Sequence, residues 1–181
     1  TDVREAGFLR AYPALLAAAR LEARDTMEAF LRTASLAYGW IPRSLRIDEA
    51  TLPQALKAFA AARGERVAVS VDLIEPLASC LSSVVDASKV LHLANPSVFP
   101  MWGKRIERFR LQREPTPYHM GQPRHYLGFI EDVWTLTSDP LFLTFHHEYC
   151  TAYQERLQRM RIAPYPLTEP RVVQSATSEL A

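Results

Sequence analysis

Apolar residues recur every three to four positions along most of this chain, and polar or proline-containing breaks divide the pattern into about eight helices. Phe8, Leu9, Tyr12, Leu15, Leu16 and Ala19 make the first apolar face, with Pro13 read as lying near the helix start. Asp25-Thr26 opens a second helix that turns Met27, Phe30, Leu31, Ala34, Leu36 and Ala37 inward. It ends at Tyr38-Gly39-Trp40-Ile41-Pro42, where Gly39 offers a left-handed cap and Pro42 blocks continuation. A third helix carries Leu52, Leu56, Phe59 and Ala60 between Thr51-Leu52-Pro53 and Gly64. Residues 66–71 alternate like a short strand, but nothing pairs with them, so they read as a connection. Ser70 or Asp72 opens a fourth helix through Leu73, Ile74, Leu77 and Leu81, which puts Pro76 in its first turn. Asp86 reads as the N-cap of a fifth, with Val90, Leu91 and Leu93 facing inward.

The stretch 88–110, SKVLHLANPSVFPMWGKRIERFR, departs from this regular pattern. An apolar helical run is broken at Asn95-Pro96 and again at Phe99-Pro100, and a basic helix then opens at Trp102-Gly103-Lys104-Arg105. Glu114-Pro115-Thr116-Pro117 marks a lobe boundary or a long loop, which the polar run 119–125 extends. Tyr126, Phe129, Ile130, Val133, Trp134 and Leu136 return to helical spacing. Ser138-Asp139-Pro140 caps a last long helix through Leu141, Phe145, Tyr149, Tyr153 and Leu157. The prolines and small polar residues of 164–181 read as an extended or frayed tail. The class is therefore all-α, with residues 1–163 as a single helical domain or two packed lobes sharing one core.

Composition changes this picture little. With 181 residues, 48% hydrophobic and 23% charged, the chain is expected to be globular rather than disordered. A net charge of +1 neither favours nor excludes nucleic acid, because basic residues on one face can be balanced elsewhere. Cys80 and Cys150 lie in apolar helical contexts without metal or redox spacing and read as reduced core residues, which points to a cytoplasmic protein. No apolar run approaches the ~20 residues of a membrane span, and the first residues lack a signal-peptide pattern. His146-His147-Glu148 lacks the spacing of a helical zinc site, and no phosphate loop or dinucleotide fingerprint is present, so no metal or cofactor is implied.

The helix, Asn-Pro break, Phe99-Pro100 pair and basic helix together resemble the helix-hairpin-helix DNA glycosylases, the superfamily of endonuclease III and the 8-oxoguanine glycosylases. In those enzymes an apolar-Pro segment leads to a catalytic Asp and a helix of the form Asp-x-x-Val/Ile-x-Arg. Here the run is Phe99-Pro100-Met101-Trp102-Gly103-Lys104-Arg105-Ile106-Glu107-Arg108, and Gly103 stands where the family has its acid. The resemblance implies duplex DNA as partner and excision of a damaged or modified base from a flipped nucleotide. The family's glycine-rich hairpin corresponds to 81–89, Leu-Ser-Ser-Val-Val-Asp-Ala-Ser-Lys, a degenerate match without glycine. Ser82, Ser83 and Ser88 are its candidate phosphate contacts, joined by Lys104, Arg105 and Arg108.

Several residues carry two readings. Lys89 is a Schiff-base nucleophile if desolvated, or else a phosphate contact or a solvated charge. Glu107 is a carboxylate one turn beyond Gly103 that could reach back toward it, or half of an intrahelical ion pair. Tyr38, Trp40, His92 and Trp102 either line a base pocket or pack in the core. The alternative to excision is a noncatalytic helical DNA-binding or protein-interaction module that kept the scaffold and lost the acid.

Overall fold

The computed structural model describes residues 3–40 and 44–181, and among them it has ten helices and no strand. They are α1 (Val3–Arg20), α2 (Thr26–Trp40), α3 (Leu52–Ala62), α4 (Val71–Cys80), α5 (Val84–Ala94), α6 (Lys104–Leu111), α7 (Pro117–Met120), α8 (Pro123–Thr137), α9 (Phe142–Arg159) and α10 (Glu169–Leu180). The apolar pattern accounts for eight of these, and α7 and α10 are additions. In α7 the Thr116 hydroxyl accepts the His119 N–H and Pro117 sits in the first turn, so a proline run that reads as a break is itself a helix start. α10 corrects the reading of 164–181 as frayed: Pro170 again occupies the first turn, and Val172 and Val173 are buried where the helix packs on α6, α8 and α9.

Local details also differ from the pattern. Pro13 and Pro76 lie inside α1 and α4, not at their starts. Gly39 is helical and does not form a left-handed cap, while Ile41 and Pro42 lie outside the described residues. Ser83, not Asp86, caps α5: its hydroxyl accepts the Asp86 N–H at 3.1 Å, which leaves Asp86 in the first turn.

The core is organised around α5, in which the residues from Val84 to Leu93 are buried except Val85. α1, α2, α3, α4 and α8 all pack against it. One large apolar cluster joins α2 to α5 with α8, and within it Phe30 and Phe59 meet edge to face at 5.4 Å with neither exposed. Complete burial of each ring is worth about 2–3 kcal/mol. A smaller cluster joins Leu9 and Tyr12 of α1 to Tyr153 and Leu157 of α9, with Tyr165, Leu167 and Val172 closing it.

Between α4 and α5 the helix axis turns by 112° across three residues. Ser82 takes a left-handed conformation (φ 53°), its N–H donates to Ser79, and the Ser83 N–H donates to Ala78 at 2.9 Å. This is the paired-bond helix ending usually built on glycine, and serine holds it at a backbone cost of about 1 kcal/mol. No single helix among the described residues is long and apolar enough to cross a membrane.

Candidate functional site

Residues 95–103 link α5 to α6 without regular structure, and they are held in place by the side chain of Asn95 and by four side chains from α5, α8 and the start of α10. Asn95 donates from its amide to the carbonyls of Ala62 and Gly64 at the end of α3. The Thr168 hydroxyl, at the N-cap of α10, donates to Pro96 at 2.7 Å. Buried His92 bonds the Phe99 carbonyl at 2.7 Å, and the Tyr126 hydroxyl of α8 donates to Pro100 at 2.9 Å. Ser88, fully buried on α5, accepts the Trp102 N–H at 3.0 Å. Polar backbone that would otherwise be buried without partners is satisfied at almost every step. The segment is thus a fixed bracket whose end, Gly103, is the N-cap of α6.

Gly103 sits in extended backbone (φ −176°) open to any residue, and a Cβ there meets nothing within 4 Å. Lys104 and Arg105 follow in the first turn of α6, both exposed. Ser82 is exposed at the α4–α5 turn, whereas the Ser83 and Ser88 hydroxyls are engaged in capping and bracing. Arg108 pairs with Glu114 at 3.1 Å and donates to the main-chain oxygen of Ala181 at 2.6 Å. Lys89 is 8% exposed and its ammonium lies 2.7 Å from the Asp86 carboxylate. That ion pair engages the amine against Asp86 inside the core, whereas a Schiff-base nucleophile must present it to a substrate.

The four candidate pocket aromatics do not converge on one cavity. Trp102 is 2% exposed and His92 fully buried, and Tyr38 is enclosed with its hydroxyl 3.5 Å from the Leu81 carbonyl. Only Trp40 borders open space, an apolar groove of about 850 Å³ between α1 and α2 that Phe8, Leu15 and Leu36 also line.

Glu107 is 1% exposed and is the hub of a buried network. Its Oε2 accepts from Trp102 Nε1 at 2.9 Å and Arg110 Nη1 at 2.7 Å, and its Oε1 accepts from His119 Nε2 at 2.6 Å. Burial alone would raise the carboxyl pKa, but the bonds from His119, Trp102 and Arg110 outweigh it and hold the group below the usual carboxylate range. Arg110 extends the network to Asp132 at 2.6 Å, and His119 stacks on His125 at 3.6 Å. These groups border a cavity of about 410 Å³. Arg110, His119, His125 and Asp132 carry no spacing signal, because α6, α7 and α8 bring them together only in the fold.

Comparison with protein-family models, curated proteins and solved structures finds no match.

His92 sets a prediction for acid sensitivity. Its Nδ1 donates to the Phe99 carbonyl, so Nε2, 2.8 Å from the Tyr12 hydroxyl, is the acceptor and the ring is neutral. Burial pushes its pKa down to about 3, and the positive charge of Arg171 adds to the shift. The unfolded chain binds a proton near pH 6.5 that the folded chain refuses, so His92 makes stability fall as pH drops below that value, by up to about 1.4 kcal/mol per unit. Glu107, with its lowered pKa, adds a second loss once pH falls through the ordinary carboxylate range. Urea unfolding between about pH 7 and pH 5 reads the first slope, and His92→Gln is expected to flatten it.

Proposed function

We propose that this chain is a DNA glycosylase-like protein that binds duplex DNA and takes up a flipped damaged or modified nucleotide between two helical lobes, with Gly103 leaving the acid position empty. The observation that carries this reading is the braced 95–103 bracket, which ends at an open helix N-terminus followed by exposed Lys104 and Arg105. A helix start of this kind suits an anionic backbone, and a rigid approach suits a group that must be held near a scissile bond. The α4–α5 turn with left-handed Ser82 is the counterpart of the family's hairpin.

A second reading, a noncatalytic helical DNA-binding or protein-interaction module, is favoured by the ion pair of Lys89 with Asp86 and by the three donors on Glu107. Both DNA readings predict salt-dependent binding to duplex. Lys104→Ala and Arg105→Ala together are expected to lower the salt slope by about two and to weaken binding about uniformly across sequences. Fluorescence anisotropy over a salt series measures both quantities, and the absence of any salt-dependent binding excludes DNA as the partner.

A further inference from the structure

A second cavity, of about 400 Å³, opens between α1, α6, α9 and α10 and is lined by Arg105, Arg156 and Arg171. Among the described residues, three guanidinium groups share it with one carboxylate, Glu179, which pairs with Arg156 at 2.8 Å, and Arg156 has a further interaction besides. Arg171 lies deepest: its Nε is buried without a partner among the described residues, and its ring-side contact is the face of Tyr12 at 4.7 Å. Its Nη1 donates to the Gln174 side-chain oxygen, and it forms no ion pair with any described residue. Arg105 at the exposed rim likewise has no ion pair among the described residues. Gln174 and Ser175, both nearly buried, add polar groups to the wall.

A partly buried guanidinium without a counter-charge is costly, and burial is normally tolerated when an anion completes the hydrogen bonds. The planar donors of arginine fit the oxygens of a phosphate better than any single-point cation does. We infer that this cavity is an anion-binding site for a phosphate group, with Arg171 at its floor and Arg105 and Arg156 at its mouth. The cavity has room for more than the anion, so the phosphate belongs either to a nucleic-acid backbone or to a small phosphorylated molecule. The site does not depend on base excision: a chain that excises nothing still carries these three arginines.

The test is calorimetric titration of the full chain with inorganic phosphate at low chloride, repeated with Arg105→Gln and with Arg156→Gln. Both substitutions lie at the rim, and circular dichroism confirms that each variant folds. The expected result is saturable one-site binding with Kd of about a millimolar or tighter, weakened about tenfold or more in each variant. A duplex oligonucleotide that displaces phosphate identifies the nucleic-acid backbone as the source, and one that does not identifies a small phosphorylated ligand. Failure to saturate, or saturation unchanged in both variants, overturns the site. Loss of base excision alone leaves it standing.

Discussion

Replacing Glu107 with alanine is expected to lower the unfolding free energy by about 3 kcal/mol, the lower part of the range for breaking a buried ion pair. The loss has three origins. The Trp102 Nε1–H, in a side chain 2% exposed, is left without its acceptor. The Arg110 guanidinium keeps Asp132 but loses its buried partner, and His119 loses the acceptor of its 2.6 Å bond. The estimate is held low because Asp132 remains and is about half exposed, so part of the charge of Arg110 stays compensated. For a chain of this length, 3 kcal/mol corresponds to a fall in Tm of about 6–12 °C. Glu107→Gln keeps one acceptor and the side-chain volume and is expected to lose less. Thermal unfolding of both variants decides the matter: a Glu107→Ala protein as stable as the unaltered chain would return Glu107 to the catalytic reading.

This network also shows where a linear sequence stops being informative. The pattern of apolar residues and breaks marks eight helices, seven of them by an inward face and α6, in which only Ile106 and Glu107 are buried, by its basic start. It misses α7, which spans only Pro117–Met120, and α10, where Val172 and Val173 are the only large apolar residues buried inside a polar helix. Gln174 and Ser175 are nearly buried there, which inverts the usual pattern of polar residues outside. The bracket 95–103 is legible as an unusual segment because two proline breaks, Asn95-Pro96 and Phe99-Pro100, lie so close together. What holds it is not legible: His92 meets Tyr12 across 80 positions and Thr168 meets Pro96 across 72.

The candidate residues divide along the same line. Gly103, Lys104 and Arg105 are positioned by the start of α6, a local event, and they appear where the sequence places them. Tyr38, His92 and Trp102 are read from their type alone, and an aromatic ring on an apolar face looks the same whether it packs in a core or walls a cavity. Here all three are enclosed. Lys89 looks available one residue beyond Ser88, but the i,i+3 spacing to Asp86 on a buried helix gives it a partner at 2.7 Å. Arg171 gains its significance only when α1, α6, α9 and α10 meet around it.

The second large expected effect concerns position 103. Gly103→Asp introduces no strain, since the backbone there is extended and the added Cβ has open space. An aspartate at this N-cap accepts an N–H from the first turn of α6, a gain of a few tenths of a kcal/mol over glycine, so the variant is expected to fold at least as well. The bracket then holds a carboxylate in a fixed place at the helix start. If a flipped nucleotide enters beside it, that carboxylate stabilises the positive charge that develops on the sugar as the base departs, an effect worth about a hundredfold or more in rate. Glycine supplies nothing comparable, and the engaged side chains of Glu107 and Lys89 cannot substitute.

The central claim is therefore tested most directly by incubating the unaltered chain and the Gly103→Asp variant with duplexes carrying a panel of damaged and modified bases, and measuring alkali-labile abasic sites. Both proteins are expected to bind DNA in a salt-dependent manner, and on at least one of these bases the variant is expected to excise about a hundredfold or more faster than the unaltered chain. A folded Gly103→Asp protein that neither binds these duplexes nor releases any base would contradict it.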